Sequence, residues 1–196
     1  MCFRIVQQGG IMQKRNLLIG GTGSVLGIAM GLIFGFEGYR TEAYPDTGKV
    51  WTICYGETLG VKKGDKATPE QCNNMLMQSL ARHNKPFESL PNELPENVHL
   101  AMLDWTYNVG AGAATSSTAW KYLKSGQYDK ACTELPKWRF VTVNDKKLDC
   151  SIKSNNCSGV WKRRQIEQDI CLGNVTPQQA LTMLGSKPMD ADGATL

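Results

Sequence analysis

The feature that most constrains this chain is a run of 21 residues without charge. No Asp, Glu, Lys or Arg lies between Arg15 and Glu37, and a membrane-spanning helix needs about 20 consecutive, predominantly apolar residues. Basic residues precede the run, so the positive-inside rule places the N-terminus in the cytoplasm and the rest of the chain outside. The sequence therefore predicts an N-terminal apolar helix over residues 17–36, preceded by an extension and basic region over residues 1–16.

Glycines weaken this segment as a permanent anchor, because each Gly costs a helix about 1 kcal/mol relative to Ala. Four of them recur every four residues and therefore line one helical face, as in small-xxx-small interfaces. We expect either a dimer seam in the membrane or a packing groove in a soluble fold. A cleaved signal peptide is the alternative, although no A-x-A cleavage site follows the run. The glycines of the run are Gly20, Gly21, Gly23, Gly27, Gly31 and Gly35.

Cysteine usage indicates an oxidising compartment. Of seven cysteines, Cys2 lies upstream of Met12, a second candidate start. The other six follow the apolar run, and an even number there favours disulfides. No Cys or His spacing is typical of zinc, and the chain has only two histidines, so we expect no metal and no cofactor. The six cysteines are Cys54, Cys72, Cys132, Cys150, Cys157 and Cys171.

Local signals after residue 37 predict an α+β fold, with a small lobe that carries a β-hairpin and a larger helical lobe. Residues 44–58 combine β-forming residues with a Pro-Asp-Thr-Gly turn, which predicts an antiparallel hairpin. Thr68, followed by Pro69 and by Gln71, is typical of a capping-box helix start. The tail over residues 174–196 has a possible capped turn at Thr176 and is expected to be partly disordered. Further helices are predicted over residues 94–110, 117–126, 127–138 and 160–173.

Glu37, Asp46 and Thr52 form a candidate catalytic set. Glycoside cleavage needs a carboxylic acid that protonates the leaving oxygen and a carboxylate that directs water or attacks the anomeric carbon. Glu37 follows Phe34 and Phe36, so an apolar setting would keep it protonated near neutrality. Asp46 lies in a polar turn and would stay ionised, and Thr52 would help to hold the water. On spacing alone, a surface residue, a turn former and an ordinary strand residue fit at least as well.

The residues around this set resemble the catalytic signature of the phage-type lysozymes, glycoside hydrolase family 24. The steps from acid to carboxylate to threonine are nine and six residues, as in that family. The resemblance continues through AMLDWTYNVGAG at 101–112 and GVWKRRQIEQDICLG at 159–173, so it covers about residues 36–173. The shared signature positions are Glu37, Gly38, Tyr44, Asp46, either Gly48 or Lys49, and Thr52.

One position departs from the family pattern. Many members carry T-x-G-x-G-H, whereas this chain continues from Thr52 through Ile-Cys-Tyr-Gly to Glu57. A sugar contact inferred from the histidine is therefore not expected here, and the acid at Glu37 is unaffected.

The resemblance implies a lysozyme domain over residues 37–173 that hydrolyses the β-1,4 bond between N-acetylmuramic acid and N-acetylglucosamine in peptidoglycan. It implies an inverting mechanism, for which the carboxyl groups of Glu37 and Asp46 would lie roughly 6.5 to 9.5 Å apart. It also places Tyr107 and Asn108 near the sugar, although an aromatic residue on a helix is more often part of the core. For the cysteines we expect the pairs Cys150 with Cys157, Cys54 with Cys72, and Cys132 with Cys171.

Within the family, the Gly-rich uncharged segment resembles that of signal-anchor-release endolysins of phages that infect Gram-negative bacteria. The resemblance implies export by the host secretion machinery, an inactive form tethered to the periplasmic face of the host inner membrane, and release into the periplasm. While residues 17–36 lie in lipid, Glu37 would be held away from Asp46 and Thr52. After release, part of the segment would fold as the first helix of the domain. The segment contains no cysteine, so refolding is the expected switch.

Other classes of protein fit less well. A membrane-anchored, non-hydrolytic lysozyme relative that binds the cell wall is the main alternative, followed by a secreted muramidase with a cleaved signal. A nucleic-acid partner is disfavoured, because the basic cluster at 162–164 lies in the lysozyme-like helix and belongs to no recognition module. G-x-S-x-G is absent from the sequence, and GGTGSVLG does not satisfy G-x-G-x-x-G.

Overall fold

The computed structural model of the chain describes residues 25–37, 39–46 and 49–186. The described residues form α-helices and two small antiparallel sheets joined by loops, which confirms the predicted α+β class. The elements are α1 (Val25–Phe36), β1 (Arg40–Pro45), β2 (Trp51–Cys54), α2 (Pro69–Asn84), α3 (Glu96–Val109), α4 (Ala111–Ser116), α5 (Thr118–Lys124), α6 (Tyr128–Glu134), β3 (Phe140–Val143), β4 (Lys146–Asp149), α7 (Ser158–Cys171) and α8 (Pro177–Met183).

Helix α1 is the described part of the apolar segment; residues 17–24 of the predicted helix lie outside the described residues. The side chains of Ile28, Met30 and Leu32 are at most 1% exposed. A helix that is apolar on all sides needs neighbours on all sides, and here it packs against α2, α3 and α8. None of the described helices is both long and apolar enough to cross a membrane. In this structure, α1 is a core helix.

Strands β1 and β2 form the predicted hairpin, in which Tyr44 pairs with Thr52. Helix α2 then begins as predicted, with the hydroxyl of Thr68 accepting from the backbone N–H of Gln71 in a complete capping box. The disulfide between Cys54 and Cys72 joins the hairpin to this helix. The small lobe is therefore held by a covalent link as well as by packing.

Helix α3 is the central helix of the larger lobe. Nine of its fourteen residues are buried, and it packs against α1, α2, α4 and α7. Gly110 ends it as predicted, with φ at 88°. Helices α5, α6 and α7 also lie where the sequence predicts helices, and a disulfide between Cys132 and Cys171 joins α6 to α7.

The C-terminal helix α8 extends the core beyond residue 173. The hydroxyl of Thr176 accepts from the backbone N–H of Gln179, so the possible capped turn is the start of a helix. Ala180 and Leu181 are at most 2% exposed. Because α1 and α8 both contribute buried side chains, the hydrophobic core extends past residues 37–173 on either side.

The hairpin of β3 and β4 has no counterpart among the predicted elements. Its turn uses Asn144 and Asp145, both at positive φ (48° and 61°), as type I′ turns require. The third disulfide, between Cys150 and Cys157, closes the loop that follows. All three disulfides join the cysteines in the pairs that the sequence analysis expects, with Cα–Cα distances of 4.9 to 5.5 Å.

Candidate active site

Glu37 lies at the C-terminal end of α1, where its backbone N–H donates to the carbonyl of Ile33 at 2.7 Å. The buried face of α1 thus fixes the backbone that carries this carboxylate. Its Oε1 accepts from Nη1 of Arg163 at 2.5 Å, and a quarter of the side chain is exposed. Its Oε2 lies beside Gly56: a Cβ atom built on Gly56 would be 3.7 Å from this oxygen.

Arg163 connects the Glu37 carboxylate to the centre of the larger lobe. Its Nε and Nη2 donate to the two carboxylate oxygens of Asp104, both at 3.0 Å. The guanidinium also lies 4.8 Å from the ring centre of Phe36. Burial alone would lower the pKa of Arg163, but the carboxylates of Asp104, Glu37 and Glu167 raise it above its ordinary value. Arg163 is therefore a permanent cation at this site.

This arrangement differs from the setting expected for Glu37. The sequence analysis expects an apolar environment, because Phe34 and Phe36 precede the acid. In the structure Phe34 is 40% exposed, and Phe36 covers the guanidinium of Arg163. The environment of Glu37 is thus partly ionic, since α7 brings a cation to it from 126 residues along the chain.

Asp46 and Thr52 lie at the same end of the β1–β2 hairpin. One carboxylate oxygen of Asp46 accepts from the backbone N–H of Val50 at 2.8 Å. The carbonyl of Val50 in turn accepts from the backbone N–H of Asp46 at 2.9 Å and from Oγ1 of Thr52 at 3.0 Å. Asp46 and Thr52 are therefore held relative to each other through one residue.

Tyr107 and Asn108 lie at the C-terminal end of α3. The hydroxyl of Tyr107 donates to the carbonyl of Tyr55 at 2.8 Å, so this side chain supports the turn after β2. Burial, with the negative charges of Glu37 and Glu57, raises the pKa of Tyr107 well above its usual value. Asn108 is exposed, and its Oδ1 accepts from Nη2 of Arg164 at 2.9 Å.

The structure thus joins Asp46 to Thr52 through Val50, and it joins Glu37 to residues that sequence reasoning did not select. Those residues are Arg163, Asp104 and Gly56. The available signal was the pair of adjacent arginines on α7 with Glu167 three and four residues later, a spacing that places them on one helical face. In the described part of the chain, no group of three His, Cys, Asp or Glu residues is arranged to hold a metal ion.

A sequence comparison matches residues 35–167 to the model of the phage lysozyme family. This range contains Glu37, Asp46, Thr52, Tyr107 and Arg163, and it covers more than half of the chain. The chain belongs to the phage lysozyme family.

Two curated relatives span most of the same region. The SAR-endolysin of Pseudomonas phage phiKMV is 36% identical over 151 residues, which cover 76% of this chain and 89% of the relative. The SAR-endolysin of Bacteriophage PS119 is 30% identical over 168 residues, which cover 84% of this chain and 88% of the relative.

Solved structures show the same fold. An endolysin from Escherichia coli O157:H7 phage FAHEc1 aligns with a TM-score of 0.64 at 29% identity, over 80% of this chain and 98% of that one. The active form of the P1 phage endolysin Lyz aligns with a TM-score of 0.60 at 23% identity, over 76% of this chain and 85% of that one. The second likeness is one of fold alone.

Proposed function

We propose that this chain is an endolysin that hydrolyses the β-1,4 bond between N-acetylmuramic acid and N-acetylglucosamine in peptidoglycan, for lysis of the host cell. Membership of the phage lysozyme family and similarity to SAR-endolysins support this activity. The observation that carries the proposal is the placement of Glu37. A buried helix ends at this carboxylate, and the turn that follows Thr52 on the β1–β2 hairpin lies against it.

In the proposed reaction, Glu37 donates its proton to the glycosidic oxygen as the bond to the anomeric carbon breaks. Asp46 directs a water molecule to the opposite face of that carbon and takes up one of its protons, which gives inversion. The hydroxyl of Thr52 donates a hydrogen bond to the carbonyl of Val50, so its oxygen is oriented to accept a hydrogen bond from the water. Arg163 holds the Glu37 carboxyl in place and provides the charge that binds its conjugate base after proton transfer.

The proposed function includes a membrane-tethered stage. The uncharged run before Glu37 and the signal-anchor names of the relatives support tethering to the host inner membrane and later release into the periplasm. Export would use the host secretion machinery, because residues 37 onwards must reach the peptidoglycan. We place the lysozyme domain at residues 37–173, with α1 and α8 packed against it in the released form.

Turbidity loss of outer-membrane-permeabilised Gram-negative cells tests the activity. The wild-type protein, purified with its disulfides intact, is expected to lyse them, and Glu37→Gln is expected to reduce the rate by about 10²- to 10⁴-fold. The matched control is Glu42→Gln, which changes an exposed carboxylate of the same lobe. Equal lysis by wild type and Glu37→Gln would exclude Glu37 as the acid. Absence of lysis by all three would favour the non-hydrolytic relative.

A further inference from the structure

Glu57 replaces the histidine of the phage-type pattern, and its carboxylate is engaged on both oxygens. Oε1 accepts from the backbone N–H groups of Thr58 at 3.0 Å and Leu59 at 2.9 Å. Oε2 accepts from Nη2 of Arg82 on α2 at 2.5 Å. The side chain of Glu57 is only 12% exposed, whereas that of Arg82 is 42% exposed. Glu57 thus binds its own loop and α2.

The turn that ends at Glu57 has an unusual backbone conformation, with two residues at positive φ. Ile53 and Glu57 exchange two backbone hydrogen bonds, at 2.9 and 3.0 Å. Between them, Cys54 has φ at 58° and Gly56 has φ at 94°. A non-glycine residue rarely adopts the left-handed region without support from its surroundings. Here the disulfide at Cys54 holds one side of the turn, and the Glu57 carboxylate holds the residue that ends it by accepting from the next two N–H groups and from Arg82.

The same turn borders the candidate catalytic groups. Gly56 lies against Oε2 of Glu37, and any larger residue there would place a Cβ 3.7 Å from that oxygen. Thr52 immediately precedes Ile53, so the bond pair between Ile53 and Glu57 fixes the strand end that carries Thr52. A movement of this turn would therefore displace Thr52 and change the surroundings of the Glu37 carboxylate at the same time.

We propose that Glu57 is a positioning residue for glycoside hydrolysis: together with Arg82 it holds residues 53–57 against the Glu37 carboxylate. Glu57 acts through Gly56 and Thr52 and contacts no reacting atom. This role rests on the proposed function, because it has meaning only if Glu37 and Thr52 take part in hydrolysis. It also accounts for an acidic residue at this position, since a carboxylate accepts on both oxygens and so binds the N–H groups of Thr58 and Leu59 with one and Arg82 with the other.

Kinetics of Glu57→Ala and Glu57→Gln on purified peptidoglycan test the role. Glu57→Ala removes both sets of contacts and is expected to lower kcat by about 10- to 100-fold, because small misplacements of reacting groups have effects of this size. KM is expected to stay within about threefold, since the change acts on the reacting groups rather than on binding. Glu57→Gln keeps an amide oxygen for the N–H groups of Thr58 and Leu59 but loses the ion pair with Arg82, so kcat is expected to fall by only about fivefold.

Three comparisons make this experiment decisive. Glu42→Ala removes the exposed pair with Lys66 in the same lobe and should leave kcat unchanged. Glu37→Gln, measured alongside, reports on the proposed function itself: if it retains activity, the acid assignment fails independently of Glu57. The thermal unfolding midpoint of each variant separates a loss of kcat from a loss of folded protein.

Wild-type kcat in Glu57→Ala would overturn the positioning role, and so would a loss of kcat that only follows the unfolded fraction. A loss in Glu57→Gln as large as in Glu57→Ala would overturn it too, because the charge itself would then be needed for the chemistry. If Glu57→Ala does not fold, Arg82→Ala replaces it. That variant removes the partner on α2, keeps the contacts to Thr58 and Leu59, and is expected to lower kcat by about fivefold; unchanged kcat would refute the role.

Discussion

At the scale of single residues, His99 gives the fold a dependence on pH. Its side chain is buried on α3, where Nε2–H donates to Oδ1 of Asn84 at 2.6 Å and the ring lies 5.0 Å from that of Phe87. Burial lowers the pKa of His99 to about 4. The unfolded chain binds this proton below about pH 6.5, whereas the folded chain does so only near pH 4. The stabilising contribution is therefore complete above the unfolded pKa and is lost as the pH falls towards the folded one.

Urea unfolding of wild type and His99→Gln at pH 7.5 and 4.5 measures this contribution. Between these two values, His99 is expected to remove about 2–3 kcal/mol of unfolding free energy from the wild type. In His99→Gln, the loss of unfolding free energy between the two pH values is expected to be smaller by that amount. The control His83→Gln keeps the buried ring of His99 and is expected to lose as much as wild type. If wild type and His99→Gln lose the same unfolding free energy between pH 7.5 and 4.5, burial of His99 does not cause the pH dependence of stability.

The residues of the candidate site differ in how far the sequence could predict them. Glu37, Asp46 and Thr52 lie within 16 residues of one another, so the resemblance of one short stretch to the family signature selects all three. Arg163 could be predicted only as part of a basic cluster on a helix. Its partner Asp104 lies 59 residues away, and only the packing of α3 against α7 brings the two together. Because the two residues lie far apart in the sequence, no local pattern predicts their contact.

At the scale of elements, the glycine spacing in α1 predicts a packing face, and the structure shows what covers it. Gly35 lies against Leu184, which follows α8, and Oγ of Ser186 donates to the carbonyl of Gly31 at 2.7 Å. The described end of the glycine face is thus a packing groove for the residues that follow α8, one of the two alternatives that the sequence left open. Small residues here allow α8 to approach α1 closely, as they do at helix interfaces in general.

Gly35→Ala tests whether this close approach matters for stability. The added Cβ would lie 2.9 Å from Cβ of Leu184, so α8 must move away. Such overpacking costs about 1–3 kcal/mol. Gly112→Ala in α4 is the matched control, because its Cβ would meet nothing within 4 Å. We expect Gly35→Ala to unfold at lower urea and Gly112→Ala to match or exceed wild type; equal midpoints would mean that α8 contributes little to the fold.

Elements with explicit boundary signals were predictable, whereas α4 and the β3–β4 hairpin were not. The capping boxes at Thr68 and Thr176 depend on contacts within four residues, so the sequence is sufficient to locate them. The β3–β4 hairpin has an Asn-Asp turn, but its second strand, KKLD, is mostly charged and carries no clear apolar alternation. The closing disulfide and the pair between Arg139 and Asp149 stabilise this region instead.

At the scale of the whole molecule, the N-terminal segment meets two incompatible requirements. Its apolar, uncharged character suits a bilayer, whereas the buried contacts of α1 require the same side chains inside the soluble fold. Gly27 and Gly31 are buried in that fold. Substituting them with Leu would therefore disturb the folded domain as well as strengthen the anchor. A test of the proposed tether therefore leaves the buried positions of α1 unchanged.

Gly20→Leu with Gly21→Leu changes two positions of the uncharged run and leaves the described residues of α1, which begin at Val25, as they are. Each substitution replaces a poor helix former with an apolar side chain and should favour the membrane form by about 1 kcal/mol or more. During expression in a Gram-negative host, the variant is expected to stay in the membrane fraction and to delay lysis relative to wild type. Gly20→Ser with Gly21→Ser is the control and should be released like wild type. Release of the Leu variant at the wild-type rate would show that the uncharged segment does not govern escape from the membrane.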